Sequence, residues 1–132
     1  MQYGELDCSY QAAGELAGIE KLVDRFYHYM DTLEEAKAIR EMHQPDLAHA
    51  RKRLSYFLSA WLGGPKLYSE NYGPISIPSF HQAFPVDASA RDAWLLCMDK
   101  AVQEQDYSTD FKVYFMQQIS VPANRIMQAQ QP

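Results

Sequence analysis

The sequence contains no run of eighteen apolar residues, so no membrane-spanning helix is expected. It has only two cysteines, Cys8 and Cys97, far apart and at no metal-ligand spacing. No HExxH pair occurs among its four histidines, and no nucleophile-elbow pattern surrounds a serine. Gly63-Gly64-Pro65 lacks the Lys-Ser/Thr of a phosphate loop. Positive charge is scarce: twelve basic residues face seventeen acidic ones, a net charge of -5. The one dense basic cluster is Arg51-Lys52-Arg53. Nucleic acid is therefore not expected as the main partner, because phosphate binding needs a clustered positive surface. The stretch MQYGELDC has neither a basic patch nor an apolar run and does not read as a signal peptide. A cytoplasmic location is expected. No strand alternation of useful length and no internal repeat is present.

What is there is helical patterning. The 132 residues suit a single domain, 1–132, with flexible tails expected at 1–8 and 128–132. Ser9 to Leu16 reads as a short helical segment. Gly18 is expected to open the next helix, which runs to about Asp31. Its apolar residues Ile19, Leu22, Val23, Phe26, Tyr27 and Met30 form a 3.6-residue stripe. Thr32 and Glu35 are spaced as a capping box for a short helix ended by Pro45. Asp46 is a good cap for a long amphipathic helix. One face of it carries Leu47, Ala50, Leu54, Phe57 or Leu58, and Trp61. Gly63-Gly64-Pro65 stops that helix. Residues 65 to 87 read as a long stretch with little regular structure, which usually means function or mobility. Ser89 and Asp92 are spaced as a capping box for a helix from Ala88 to Gln103, with Ala90, Trp94, Cys97 or Met98, and Ala101 inward. Ser108 or Thr109 caps a final helix carrying Phe111, Tyr114, Phe115 and Ile119, which Pro122 kinks or ends. The fold class is all-α, with about four main helices.

Candidate chemistry concentrates between Asn71 and Met98. There His81 lies on a segment stiffened by Pro74, Pro78 and Pro85, beside a helix that turns Trp94 inward. Tyr27 and His43 are further polar-tipped groups at or near apolar helix faces. A lone imidazole does not cage a bare metal ion, but it is enough for an iron already held by four porphyrin nitrogens. Donors such as a phenol and an indole suit a ligand that gains partial negative charge. Plain alternatives stand beside each reading. His81 is then an ordinary loop histidine, Tyr27 a packed tyrosine, Trp94 core filling and His43 a surface group at a helix end. Periodicity does not show that these side chains converge. His28 and His49 read as solvent-facing, Cys97 as a buried thiol and Cys8 as an incidental one.

Several stretches, in order, resemble the group II truncated haemoglobins. They are Leu22-Val23-Asp24-Arg25-Phe26-Tyr27, Ile39-Arg40-Glu41-Met42-His43 and Phe57-Leu58-Ser59-Ala60-Trp61-Leu62-Gly63-Gly64-Pro65. Leu67-Tyr68, Tyr72-Gly73, His81, Phe84-Pro85 and Arg91-Asp92-Ala93-Trp94-Leu95-Leu96-Cys97-Met98 continue the series. The likeness spans roughly residues 9 to 120. Each piece is weak alone, and together they are specific.

The resemblance implies a globin-like, truncated two-over-two helical sandwich holding haem b. It implies that His81 is the proximal iron ligand, and that Tyr27, Trp94 and His43 line the distal side. Ala50 falls where many globins keep a distal histidine, and Leu54 one turn later. Phe57, Leu58 and Phe84 complete the implied pocket lining. One segment departs from the family pattern. Gly73-Pro74-Ile75-Ser76-Ile77-Pro78-Ser79-Phe80 replaces a stretch that commonly carries arginines, and Phe80 stands where an arginine usually precedes the histidine. The haem propionates are then left to Arg53, Lys66, Tyr68 or water.

The function implied is binding of oxygen and other small diatomic ligands, for redox chemistry or sensing rather than bulk transport. An unidentified electron donor or reductase is an implied partner, and the protein is expected as a monomer or homodimer. Two rivals remain at this level. One is a peroxidase-like or nitric-oxide/peroxide-detoxifying haem enzyme. The other is a haem-free helical interaction module, since fold does not dictate function.

Overall fold

Four long helices carry the architecture of this computed structural model, which describes residues 3–43, 45–72 and 88–129. In chain order the helices are α1 (Cys8–Ala12), α2 (Glu15–Thr32), a 3-10 turn (Glu34–Ala36), α3 (Lys37–Glu41), α4 (Ala48–Trp61) and α5 (Leu67–Tyr72). Beyond them come α6 (Ala88–Gln103) and α7 (Thr109–Ala129). No strand occurs among the described residues. α2 packs on α4 and on α6, and α6 packs on α7. The pairs α2/α4 and α6/α7 thus form a two-over-two helical sandwich.

The α2 stripe is buried as its period demands: Ile19, Leu22, Val23, Phe26, Tyr27 and Met30 all face the core. The helix starts at Glu15, three residues before Gly18. Gly18 lies inside it because α1 ends directly against it. A Cβ there would sit 2.0 Å from the Ala13 carbonyl oxygen.

Other boundaries also depart from the sequence reading. The Thr32–Glu35 capping box does not form. Thr32 is the last residue of α2, and its hydroxyl donates back to the His28 carbonyl at 2.9 Å. Ser89 lies one residue inside α6, and the Asp92 carboxylate accepts from Arg91. Asp46 Oδ1 accepts from the Ala48 N–H at 2.9 Å, although the N-cap position itself is held by Leu47. Ser108, not Thr109, caps α7, accepting from the Phe111 N–H at 3.2 Å. Pro122 does not end α7. Ile119 and Ala123 flank it and are buried, so packing holds the helix through the lost hydrogen bond.

α4 ends as Gly63-Gly64 requires. Gly63 has φ of +91, and the N–H groups of Gly63 and Gly64 donate to the carbonyls of Ala60 and Ser59. α5 then occupies the start of the stretch expected to lack regular structure. The N-terminal arm, expected to be loose, lies on this turn. A Cβ on Gly63 would meet the Leu6 carbonyl oxygen at 2.1 Å, and the Tyr10 N–H donates to Leu62. The Tyr3 ring packs on Phe111 and Tyr114 of α7.

Candidate functional site

The candidate side chains are brought together by α2, α4, α6 and the end of α3. Tyr27 stands at the edge of the α2 stripe, where the next apolar contact is no longer its own helix. It is 5% exposed. Its ring packs edge-on against Phe26, with centroids 4.9 Å apart, and stands 6.0 Å from the His43 ring. Its hydroxyl donates to the Ala50 carbonyl of α4 across 3.4 Å. Burial pushes the Tyr27 phenol well above its ordinary range, against a lesser opposing pull from the Arg51 charge. Tyr27 therefore keeps its proton at physiological pH and is available as a donor.

Trp94 reaches the same place from α6. It is half-buried, with its ring 5.0 Å from Phe26. The inward face of α6 is Ala90, Ala93, Cys97, Met98, Ala101 and Val102, all buried. Trp94 lies on that face, four residues after Ala90 and four before Met98, yet stays only half-buried.

His43 follows α3. Its Nδ1 stands 2.8 Å from the Ile39 carbonyl oxygen. A carbonyl only accepts, so Nδ1 carries a hydrogen and donates to it.

α4 resolves the alternative between Phe57 and Leu58. Leu58 is fully buried, together with Ser55, Ser59 and Leu62. Ala50, Leu54, Phe57 and Trp61 share another face, roughly a third of a turn round, and stay half-buried. The helix thus turns small serines to the core and leaves its apolar stripe partly uncovered. Trp61 ends that stripe by meeting Phe115 of α7 at 5.7 Å.

The remaining candidates divide. Arg53 and Lys66 are exposed on the surface and Tyr68 is buried. His81 and Phe84 lie outside the described residues. So do Phe80 and the prolines before it. Among the described residues no three His, Cys, Asp or Glu side chains group as a metal site. Sequence reasoning placed Phe26 on the core stripe but missed that its ring touches both Tyr27 and Trp94. Adjacency to Tyr27 was the available signal, and the Trp94 contact had none.

The bacterial-like globin family matches residues 8–127. The chain is 27% identical over 118 residues to the group 2 truncated haemoglobin YjbI of Bacillus subtilis, covering 89% of this chain and 86% of that protein. Its fold is similar to the cold-adapted truncated haemoglobin of the Antarctic marine bacterium Pseudoalteromonas haloplanktis. There the TM-score is 0.87 and the identity 31%, with 90% of this chain and 96% of that one covered. The group II 2-on-2 haemoglobin of Agrobacterium tumefaciens gives a TM-score of 0.85 at 31% identity, covering 89% and 92%. A match over nearly the whole chain, on the two-over-two architecture, shows that the chain belongs to the group II truncated haemoglobins and is a haem-binding globin.

Proposed function

We propose that the chain holds haem b against the half-covered face of α4 and uses it to bind oxygen and other diatomic ligands. The observation that carries this reading is the inversion on α4. Its serines are buried, while Leu54, Phe57 and Ala50, whose carbonyl meets the Tyr27 hydroxyl, remain partly uncovered. An apolar slab such as a porphyrin would bury that stripe. Burying apolar surface contributes about 25 cal/mol per Å². The donor set fits as well. Tyr27 has a single long hydrogen bond to give up, and Trp94 offers an indole N–H that only donates.

His81 is assigned as the protein ligand of the iron by its place in the family pattern. Phe84 is assigned to the pocket lining on the same ground. When bound, the haem supplies a coordination position at which a diatomic ligand gains partial negative charge. Tyr27 and Trp94 stabilise that charge by donating. His43, whose ring stands 6.0 Å from that of Tyr27, is assigned to the distal side by its place in the family pattern. Arg53 and Lys66 are the exposed cations assigned to the propionates, and Tyr68 offers a hydroxyl. Tight holding and slow release favour redox chemistry or sensing over bulk transport, with an electron donor as partner. No helix among the described residues is long and apolar enough to cross a membrane.

Titration of the purified protein with haemin tests this reading. A Soret band that saturates at one haem per chain is expected, and His81→Ala is expected to weaken retention sharply. An unchanged spectrum and haem content in His81→Ala would remove the His81 assignment.

A further inference from the structure

Phe26 is the contact shared by the two proposed donors. It is fully buried in α2. Its ring meets Tyr27 at 4.9 Å and 82°, and Trp94 at 5.0 Å and 59°. Tyr27 is on the same helix, while Trp94 comes from α6. Both rings therefore rest on one rigid side chain. A phenylalanine has two rotatable bonds, and a fully enclosed one has no free volume in which to shift. The edge-on pairing with Tyr27 adds a directional preference to plain burial, and the Trp94 ring meets Phe26 at a tilt.

We propose that Phe26 is a positioning residue that fixes the Trp94 indole relative to the Tyr27 hydroxyl, so that the two donors address a diatomic ligand as a unit. This rests on the reading of Tyr27 and Trp94 as distal donors. It adds that their coupling runs through a hydrocarbon ring, not through a hydrogen bond between them. A ring at the α2/α6 contact sets the lateral position of the indole. Leucine in its place is apolar and smaller, and leaves Trp94 without a flat neighbour. The indole would then move while the fold persisted.

A second aromatic pair provides an internal control. Trp61 meets Phe115 at 5.7 Å, nearly edge-on, and Phe115 is as fully buried as Phe26. The chain has two tryptophans, so indole N–H signals are few and separable.

The experiment uses the haem-loaded protein under carbon monoxide, with ¹⁵N-labelled indoles assigned through Trp94→Phe. Phe26→Leu is expected to move the Trp94 indole cross-peak and spare Trp61. Phe115→Leu is expected to do the reverse. In stopped-flow oxygen release, Phe26→Leu should speed release by several-fold. Trp94→Phe should then add at least about twofold less in the Phe26→Leu background than in the parent, because coupled sites are not additive. Phe115→Leu should leave release near the parent rate.

An unmoved Trp94 indole in Phe26→Leu overturns the inference. So do Phe26→Leu and Trp94→Phe effects that simply multiply. The two readings fail differently. If Trp94→Phe speeds release and Phe26→Leu does not, only the positioning role falls. If Trp94→Phe leaves release unchanged, the donor reading falls and the positioning role with it, leaving any indole shift as packing alone.

Discussion

The Tyr27 hydroxyl donates to the Ala50 carbonyl oxygen across 3.4 Å, from α2 to α4. Hydroxyl hydrogen bonds are commonly about 2.7–2.8 Å long, so this one is near the limit of the interaction. The hydrogen bond is weak, so the hydroxyl costs little to redirect. Tyr27→Phe should accordingly lower stability by less than about 1 kcal/mol, below the usual value of a well-made hydrogen bond. Urea denaturation of the haem-free protein measures it. A loss above about 2 kcal/mol would make the hydroxyl a structural tie instead of a reserved donor.

Glu104 provides a pH-dependent link between α2 and the end of α6. Its Oε2 accepts from Arg25 Nε at 2.6 Å, and its Oε1 accepts from the Tyr29 hydroxyl. Arg25 first, and Tyr29 second, lower the Glu104 carboxyl from 4.5 to about 2. A depressed carboxyl stabilises the fold above its unfolded value and loses that contribution as pH falls through the folded one. Glu104→Gln should melt below the parent at neutral pH, with the gap closing between 4.5 and about 2. The groups are partly exposed, so the gap should also shrink in about 1 M salt. A constant difference in melting temperature across this range would contradict the assignment.

The glycine turn after α4 holds the N-terminal arm. Gly63 combines φ of +91 with a 2.1 Å approach of a built Cβ to the Leu6 carbonyl oxygen. Gly63→Ala meets both left-handed strain and a backbone clash, and should cost roughly 2–3 kcal/mol. Denaturant midpoints check the size. Faster proteolysis near the arm would show that Leu6 is the group displaced.

The thiols should separate by reactivity. Cys97 is fully buried, and burial pushes its thiol up to about 11. Cys8 is half-buried. Ellman's reagent at mildly alkaline pH should titrate Cys8 alone in the native protein, and both cysteines in denaturant. Rapid native reaction of both would mean that the α6 core opens.

Legibility in the sequence followed the physics of each element. The α2 stripe was readable because one 3.6-residue period carries large apolar side chains from Ile19 to Met30. On α4 the choice between Phe57 and Leu58 stayed open and the buried serines went unread, because helices that pack closely select small residues at the contact. Ser55 and Ser59 bury well there despite their hydroxyls, and Ser59 donates to the Pro65 carbonyl at 2.8 Å. The capping box at Thr32 was a spacing coincidence, since its hydroxyl bonds back along its own helix, and Ser89 falls inside α6 instead of before it. Pro122 read as a kink or a stop because local propensity says nothing of the packing on either side. The meeting of Tyr27 with the neighbourhood of Trp94 was not derivable from periodicity. A period names a face and not the partner that covers it. That meeting was implied by family resemblance, and the Phe26 contact became visible only in three dimensions.

Oxygen release from four proteins tests the central claim most directly: the parent, Tyr27→Phe, Trp94→Phe and the double variant. Removing a buried donor should cost roughly 1–3 kcal/mol of ligand stabilisation, which is about five- to a hundredfold in release rate. Carbon monoxide, a less polar ligand, should respond less in the same proteins. The double variant should fall short of the product of the two single effects, because the donors act together. Release from Trp94→Phe within about twofold of the parent would contradict the account, leaving Trp94 as packing and the donor role elsewhere.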